Sequence, residues 1–242
     1  MRVILLLFLI NFLYANKIEA TYKAKYGWFG TIATSKGVFE KNTTSYSIST
    51  VSKAVGIAAA FSKHMVQIYK SEGIVKNNIL IPSKYISIRK KGSDIYKRVY
   101  IFKHNLKKII RLKYKNGSLE ANETLPYYTK EDILSLYFNF PYYTKAKKRF
   151  YTFYALGGRK SDGRVDISFI NGSELEKIKD TFDYTKGVYL KVNLYNKVFA
   201  GDKGILYLVI DPKNWVTLKG MVKNVLKIGD LKGEIINLKI YH

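Results

Sequence analysis

The fold class is decided by VYLKVNLY at residues 188–195, where an aliphatic side chain occupies every second position. A period of two is the period of a β-strand, so this pattern predicts a strand with one buried face and one wet face. Near the start of the chain, TYKAKY at residues 21–26 alternates in the same way. Both segments therefore predict half-buried strands of an antiparallel sheet.

Similar β-rich segments follow one another along the chain and are separated by turn signals. Asn116-Gly117 and Asp162-Gly163 are the clearest hairpin tips, because Asn, Asp and Gly tolerate the positive φ that tight turns need. This order predicts an antiparallel meander. The further predicted strands are 46–51, 79–88, 95–102, 109–114, 150–156, 165–170, 206–210 and 235–241.

Helical patterns are sparse. A capping-box-like start at Thr129 predicts a helix over residues 130–138, which Pro141 ends. Residues 173–182 carry apolar side chains at helical spacing, and residues 55–61 predict a short helix or a turn. We therefore expect a mainly β protein: a single-domain curved antiparallel sheet or partly closed β-barrel, with one or two short helices that plug or flank it.

The start of the chain resembles an export signal, with Arg2, an apolar run and then the small residue Ala15. The run is too short to span the roughly 30 Å hydrocarbon core of a bilayer. We expect a signal peptide at residues 1–15, with cleavage after residue 20 as the alternative, and a single β-rich domain at residues 16–242. Without cysteine there is no disulfide and no lipid anchor, so the mature product is predicted to be periplasmic or secreted, with no transmembrane segment.

The net charge of +24 comes mostly from lysine, in a composition also rich in isoleucine, asparagine and tyrosine. This mixture is typical of an AT-rich genome, and an exported protein meets little nucleic acid. We therefore predict no nucleic-acid partner, although a basic surface attracts polyanions in general. A lipid with an anionic head group or an acidic envelope component is the favoured partner. The sequence leaves the oligomeric state open.

No pattern in the sequence predicts catalysis, a metal or a cofactor. The three histidines lack the spacing of a metal pair, and no cysteine is present to join them. Residues 157–161 (GGRKS) lack the first glycine of a phosphate loop and are flanked by predicted strands. No pair of carboxylates stands out for glycoside hydrolysis. An enzyme is therefore not predicted, and no catalytic residue is assigned.

Aromatic side chains are the strongest functional signal, because they crowd around the helix predicted at residues 130–138. We predict that the segment 127–149 covers the concave face of the sheet and lines a cavity for acyl chains or sugar rings. In the alternative interpretation, the same rings are core and rim residues of a β protein. The predicted ligand-binding residues are Tyr128, Phe138, Phe140 and Tyr142 in the cavity, and Lys145, Lys147 and Lys148 at its rim.

These features favour a non-enzymatic binding or carrier module for a lipophilic or envelope-derived ligand. The alternative is a structural or assembly factor that binds envelope proteins or glycans through an aromatic and basic surface. A contiguous apolar cavity would favour the carrier, whereas a filled core and a flat patch would favour the assembly factor.

Two asparagines, Asn122 and Asn42, are candidate glycosylation sites. Each begins an Asn-x-Thr triplet that follows an acidic residue two positions earlier. Asn122 is the stronger candidate, because its flanks predict an exposed loop after a hairpin.

Four short segments carry a family resemblance: YGWFG at 26–30, YSI at 46–48, SEG at 71–73 followed by Pro82, and DILSLY at 132–137. In this order they resemble the bacterial exported family of domain of unknown function 3108. The resemblance implies a periplasmic, predominantly antiparallel β protein. That family has no agreed activity, so the resemblance implies no catalytic residues.

Overall fold

The computed structural model describes residues 16–144, 148–195, 204–225 and 229–242, and in these ranges fifteen strands form one large sheet that is not closed. The mainly β, single-domain fold predicted from the sequence is confirmed. The strands are β1 (Lys17–Tyr26), β2 (Thr31–Lys41), β3 (Ser45–Ala54), β4 (Val66–Lys76), β5 (Ile79–Lys91), β6 (Asp94–Lys103), β7 (Lys108–Lys115), β8 (Ser118–Thr124), β9 (Glu131–Asp132), β10 (Phe150–Leu156), β11 (Arg164–Phe169), β12 (Val188–Asn193), β13 (Ile205–Ile210), β14 (Thr217–Val225) and β15 (Gly229–Tyr241).

Three helices lie within the described ranges: α1 (Gly56–Phe61), α2 (Ile133–Tyr143) and α3 (Gly172–Phe182). The segment predicted as a short helix or turn is therefore helical, and α3 begins one residue before its predicted start. No helix in these ranges has both the length and the apolar character that crossing a membrane requires.

The sheet consists of two meanders that are joined at its centre. Strands β1 to β8 follow one another as antiparallel neighbours, and so do β10 to β15. The pairing of β1 with β15, with Lys17 opposite Tyr241 and Tyr26 opposite Leu231, joins the N-terminal meander (β1–β8) to the C-terminal meander (β10–β15). At one edge, the two-residue β9 pairs in parallel with the end of β10.

Both predicted hairpin tips connect antiparallel strands. Asn116 and Gly117 join β7 to β8 with φ of 50° and 90°, the positive values that a tight hairpin turn requires. Asp162 and Gly163 lie in the connection from β10 to β11, where the φ of Gly163 is 81°.

Strand β12 shows that the sheet is covered on both faces in the C-terminal meander. Leu190 and Val192 pack with helix α2 on the inner face. Tyr189 points the other way and packs with Ile178 and Phe182 of helix α3 on the outer face. The alternating sequence predicted one wet face for this strand; the structure differs because α3 is amphipathic and buries its own apolar face there.

Helix α2 begins after Asp132, whose carboxylate accepts the backbone N–H groups of Leu134 and Ser135 at 2.8 and 3.0 Å. The hydroxyl oxygen of Ser135 accepts the backbone N–H of Asp132 at 3.1 Å, which completes a capping box. The predicted cap at Thr129 is therefore wrong, and the helix starts later than predicted. Pro141 lies inside the last turn instead of ending the helix, and because it has no N–H it cannot donate to the carbonyl of Tyr137 four residues earlier.

Two side chains of α2 fasten the helix to both meanders. The Asn139 carboxamide accepts the backbone N–H of Leu80 at 2.8 Å and donates to the Leu80 carbonyl at 2.9 Å. Leu80 lies in the first part of β5, which is not paired with β6. The Tyr137 hydroxyl donates to the Trp215 carbonyl at 3.0 Å and accepts the Thr217 N–H at 2.9 Å. The position of α2 is thus set by backbone groups of both halves of the sheet.

We expect Asn139→Leu to lower the free energy of unfolding by about 3 kcal/mol, because the buried N–H and carbonyl of Leu80 lose their partner. Urea denaturation followed by circular dichroism measures the loss. The matched control is Asn122→Leu on the exposed face of β8, for which we expect a change below about 0.5 kcal/mol. Equal effects of the two substitutions would contradict the anchoring role of Asn139.

Candidate functional site

An apolar cavity of about 220 Å³ lies between helix α2 and the inner face of strands β11 to β13. Its wall on the helix side is made by Ile133, Leu136, Tyr137 and Phe140, which share one face because they are spaced by three or four residues. Leucine, isoleucine and valine side chains of the three strands form the opposite wall, and Trp215 contributes its indole.

The lining has no charged side chain, and the hydroxyl of Tyr137 is already bonded to the backbone of the C-terminal meander. An apolar cavity of about 150 Å³ already binds benzene. The volume here therefore accommodates one ring or one acyl segment. No charged side chain of the lining is placed to stabilise a developing charge.

Phe140 holds a central place in the wall of the cavity. Its ring stacks on Phe169 at 6.0 Å between centroids and meets the rings of Phe153 and Trp215 edge to face, each at 5.9 Å. Tyr151 contacts it in the same edge-to-face manner at 6.0 Å. These contacts fix the ring, so the cavity is lined by a rigid aromatic surface.

The four aromatic residues predicted from the sequence do not face a common cavity. Phe140 lines it, whereas Phe138 lies on the other side of α2 and stacks on Phe39 at 4.1 Å. Tyr128 shares a hydrogen bond of 2.8 Å with Nδ1 of His104 in a separate cluster under the N-terminal meander. Tyr142 is half-buried and is not part of the lining.

Of the three lysines predicted at the rim, Lys145 and Lys147 lie outside the described residues. Lys148 is exposed, and its backbone N–H donates to the hydroxyl of Tyr151 at 3.0 Å. Because Tyr151 contacts Phe140, the backbone of Lys148 is linked to the cavity wall through the ring of Tyr151.

Sequence reasoning missed most of the lining. The side chains of β12 gave a signal, since Leu190 and Val192 belong to the alternating pattern, but that pattern does not distinguish a filled core from a cavity. Trp215 follows β13 in a turn and has no periodic pattern around it. Tyr137 lies within the predicted helix at residues 130–138, but it is not among the predicted site residues.

A cluster of buried polar side chains lies at the start of α2 and consists of Tyr46, Ser71, Asp132 and Ser135. The Ser71 hydroxyl donates to Oδ2 of Asp132 at 2.6 Å, so the Tyr46 hydroxyl, 2.9 Å away, donates to Ser71. Asp132 and Ser135 are 0% exposed, Ser71 is 1% exposed and Tyr46 is 4% exposed. This buried polar cluster therefore ties β3 and β4 to the start of α2.

Burial raises the pKa of Asp132 to about 6, although hydrogen bonds from Ser71, Ser135 and Leu134 oppose this effect. Burial also raises the pKa of the neighbouring Glu131, whose carboxylate accepts hydrogen bonds from Asn139 and Tyr143. Both carboxyl groups are therefore more easily protonated in the folded protein than in the unfolded chain.

The two candidate glycosylation sites are both exposed. Asn122 lies in strand β8 instead of the predicted loop. Asn42 lies between β2 and β3, where its side-chain oxygen accepts the backbone N–H groups of Thr44 and Ser45. Their modification stays a prediction. Within the described ranges, no group of three or more acidic or histidine side chains is placed to hold a metal ion.

Comparison with known proteins assigns no family. No protein-family model matches the chain, and no curated protein matches its sequence. The resemblance to the family of domain of unknown function 3108 stays a prediction. Function is therefore inferred from the cavity and the surface of this chain.

The buried carboxyl of Asp132 predicts a pH dependence of stability. The pKa of Asp132 rises from 3.8 to about 6 on folding, so between these pH values the folded state holds a proton that the unfolded chain releases. The protonated carboxyl therefore contributes its full stabilisation of the folded state below about pH 4. This contribution to the free energy of unfolding is lost as the pH rises through about 6. Asp132→Asn cannot ionise. Between about pH 4 and 7 we expect the variant to gain about 3 kcal/mol relative to the wild type.

Urea denaturation at several pH values measures this difference. The matched control is Asp180→Asn on the exposed side of α3, which removes a carboxylate that water solvates in both states. Parallel stability curves for the wild type and Asp132→Asn would show that Asp132 does not titrate in this interval.

Proposed function

We propose that the protein is a non-enzymatic binding or carrier module for a lipophilic ligand and that it works outside the cytoplasm. The observation that carries the proposal is the apolar cavity between α2 and strands β11 to β13. Apolar ligand surface that enters such a cavity gains about 25 cal/mol per Å² removed from water. An assembly factor that uses only its surface has no need of a cavity, so the cavity favours the carrier.

The cavity suits a ligand with an apolar body and one polar end. Trp215 packs edge to face on Phe140, and its indole N–H makes no hydrogen bond to any residue in the described ranges. This donor is available to a carbonyl or carboxyl group of the ligand. The exposed Lys148, beyond the ring of Tyr151, adds a positive charge that favours an acidic head group.

The cavity is smaller than the roughly 300 to 1,000 Å³ of typical ligand sites. A medium-chain fatty acid or an alkylbenzene therefore matches it better than a phospholipid with two acyl chains. Mass spectrometry of lipids that copurify with the protein from its host would identify the natural ligand.

We expect Val192→Phe to weaken the binding of dodecanoate and of butylbenzene at least about tenfold, because the added ring fills the cavity. Isothermal titration calorimetry measures the affinity, and thermal unfolding shows whether the variant is folded. Val51→Phe, a half-buried position in β3 outside the cavity, is the matched control and retains binding. If the wild-type protein binds neither probe, or if Val192→Phe binds both unchanged, the carrier proposal is wrong.

Export is part of the proposal, and strand β1 favours one of the two cleavage positions. β1 begins at Lys17, and the buried Ile18 and Ala20 belong to the core of the sheet. Cleavage after residue 20 would remove the first four of the ten residues of β1. We therefore expect N-terminal sequencing of the exported protein to begin at Asn16; a sequence that begins at Thr21 would contradict this.

A further inference from the structure

Four apolar side chains are exposed at one end of the N-terminal meander. Trp28 is 84% exposed and Phe61 is 83% exposed, values far above those expected for rings that serve a core. Ile57 and Ile95 are 47% and 39% exposed. We call these four residues the tip patch.

The strand register brings the tip patch together. Near the start of β2, Ala33 lies opposite Ala54 at the end of β3. At the start of β4, Val66 lies opposite Lys90 near the end of β5. At the next connection, Lys91 lies opposite Asp94, the first residue of β6. The three connections that carry the patch, between β1 and β2, β3 and β4, and β5 and β6, are therefore at the same end. With about 4.8 Å between neighbouring strands, they extend over about 24 Å.

Hydrogen bonds hold the three connections against one another. The backbone N–H of Val55 donates to the Ile32 carbonyl at 2.9 Å, which places the start of α1 beside the start of β2. The N–H of Gly92 donates to the Lys63 carbonyl at 2.9 Å, which joins the third connection to the second. The patch is thus one preformed surface.

The Trp28 ring is held in place although it is exposed. Gly27 and Gly30, with φ of 47° and 70°, turn the chain sharply around it. The ring stacks on Phe29 at 4.2 Å between centroids, and Phe29 stacks on Tyr26 at 5.9 Å. A ring that is already ordered loses less conformational entropy on contact with a binding partner than a freely rotating ring does.

Exposed lysines surround the tip patch. Lys53, Lys63, Lys90 and Lys91 are all exposed, and none of them forms an ion pair with another residue of the described ranges. In the segments 27–34, 52–67 and 89–96, Asp94 is the only acidic residue of the sequence. These three segments therefore carry a net positive charge, although Asp230 of the neighbouring β15 lies next to Leu231, which pairs with Tyr26.

We propose that the tip patch docks the protein on the surface of an anionic lipid bilayer, with Trp28 and Phe61 inserted among the head groups. Tryptophan and phenylalanine on protruding connections, with lysines around them, suit the interface between acyl chains and acidic head groups. Protein interfaces are depleted in lysine, which argues against a protein partner. This docking is independent of the cavity, which lies under the other meander.

Binding to vesicles tests the proposal. We expect the protein to sediment with vesicles of phosphatidylcholine and phosphatidylglycerol in equal parts, and only weakly with vesicles of phosphatidylcholine alone. The fluorescence of Trp28 should shift to the blue on binding. Trp28→Phe should lose the shift, since Trp215, the other tryptophan, is half-buried and packs against Phe140, under the C-terminal meander and away from the tip patch.

The double variant Trp28→Ser with Phe61→Ser should bind the anionic vesicles at least about tenfold more weakly. Both side chains are exposed, so the fold is retained, which circular dichroism checks. The matched control is Ile74→Ser with Leu106→Ser, two residues 54% and 60% exposed at the opposite end of the strands, which should bind as the wild type does.

Replacement of Lys53, Lys63, Lys90 and Lys91 by glutamine should weaken binding at low salt and change it little at high salt. The proposal is wrong if the protein ignores anionic vesicles, or if the double variant at the tip patch binds them as well as its control does. Self-association that the Trp28 and Phe61 variant abolishes, without vesicle binding, would assign the patch to a second copy of the chain instead.

Discussion

Hydrogen bonds from Asn139 and Tyr137 to backbone groups of both meanders hold helix α2 in one position across the sheet. Asn139 replaces a missing strand partner of Leu80 on one side, and Tyr137 bonds to the turn before β14 on the other. Apolar contacts alone specify the orientation of a helix less sharply, because the hydrophobic effect has no direction. Directional bonds in a dry environment fix one orientation, and a buried group left without its partner is costly.

That orientation gives the two sides of α2 different properties. Toward the N-terminal meander the helix presents Phe138, which packs in the core cluster with Phe39, and the polar cluster. Toward the C-terminal meander it presents Phe140, and there the space is incompletely filled. Protein interiors are normally as dense as organic crystals, so an unfilled apolar volume beside a firmly held helix costs stability. A ligand that occupies this volume would restore the lost contacts.

The sequence predicts the strands of the sheet better than it predicts the residues that line the cavity. Strands such as β12 carry the period of their geometry, so their existence follows from alternation. Phe138 and Phe140 are only two positions apart in the sequence. At about 100° per residue, two steps turn the side chain by about 200°, so the two rings point to opposite sides of the helix. Trp215 sits in a turn, where no period exists to predict its direction. The bond from Ser71 to Asp132 joins residues that only the folded sheet brings together.

The pairing of β1 with β15 has a consequence for the synthesis of the chain. β1 emerges from the ribosome first and β15 last, so β1 presents one unpaired edge until almost the whole chain has been made. Contacts between such distant segments are slow to form, and an open β edge invites pairing with other chains. Until β15 pairs with it, this edge of β1 makes a partly folded chain prone to aggregate.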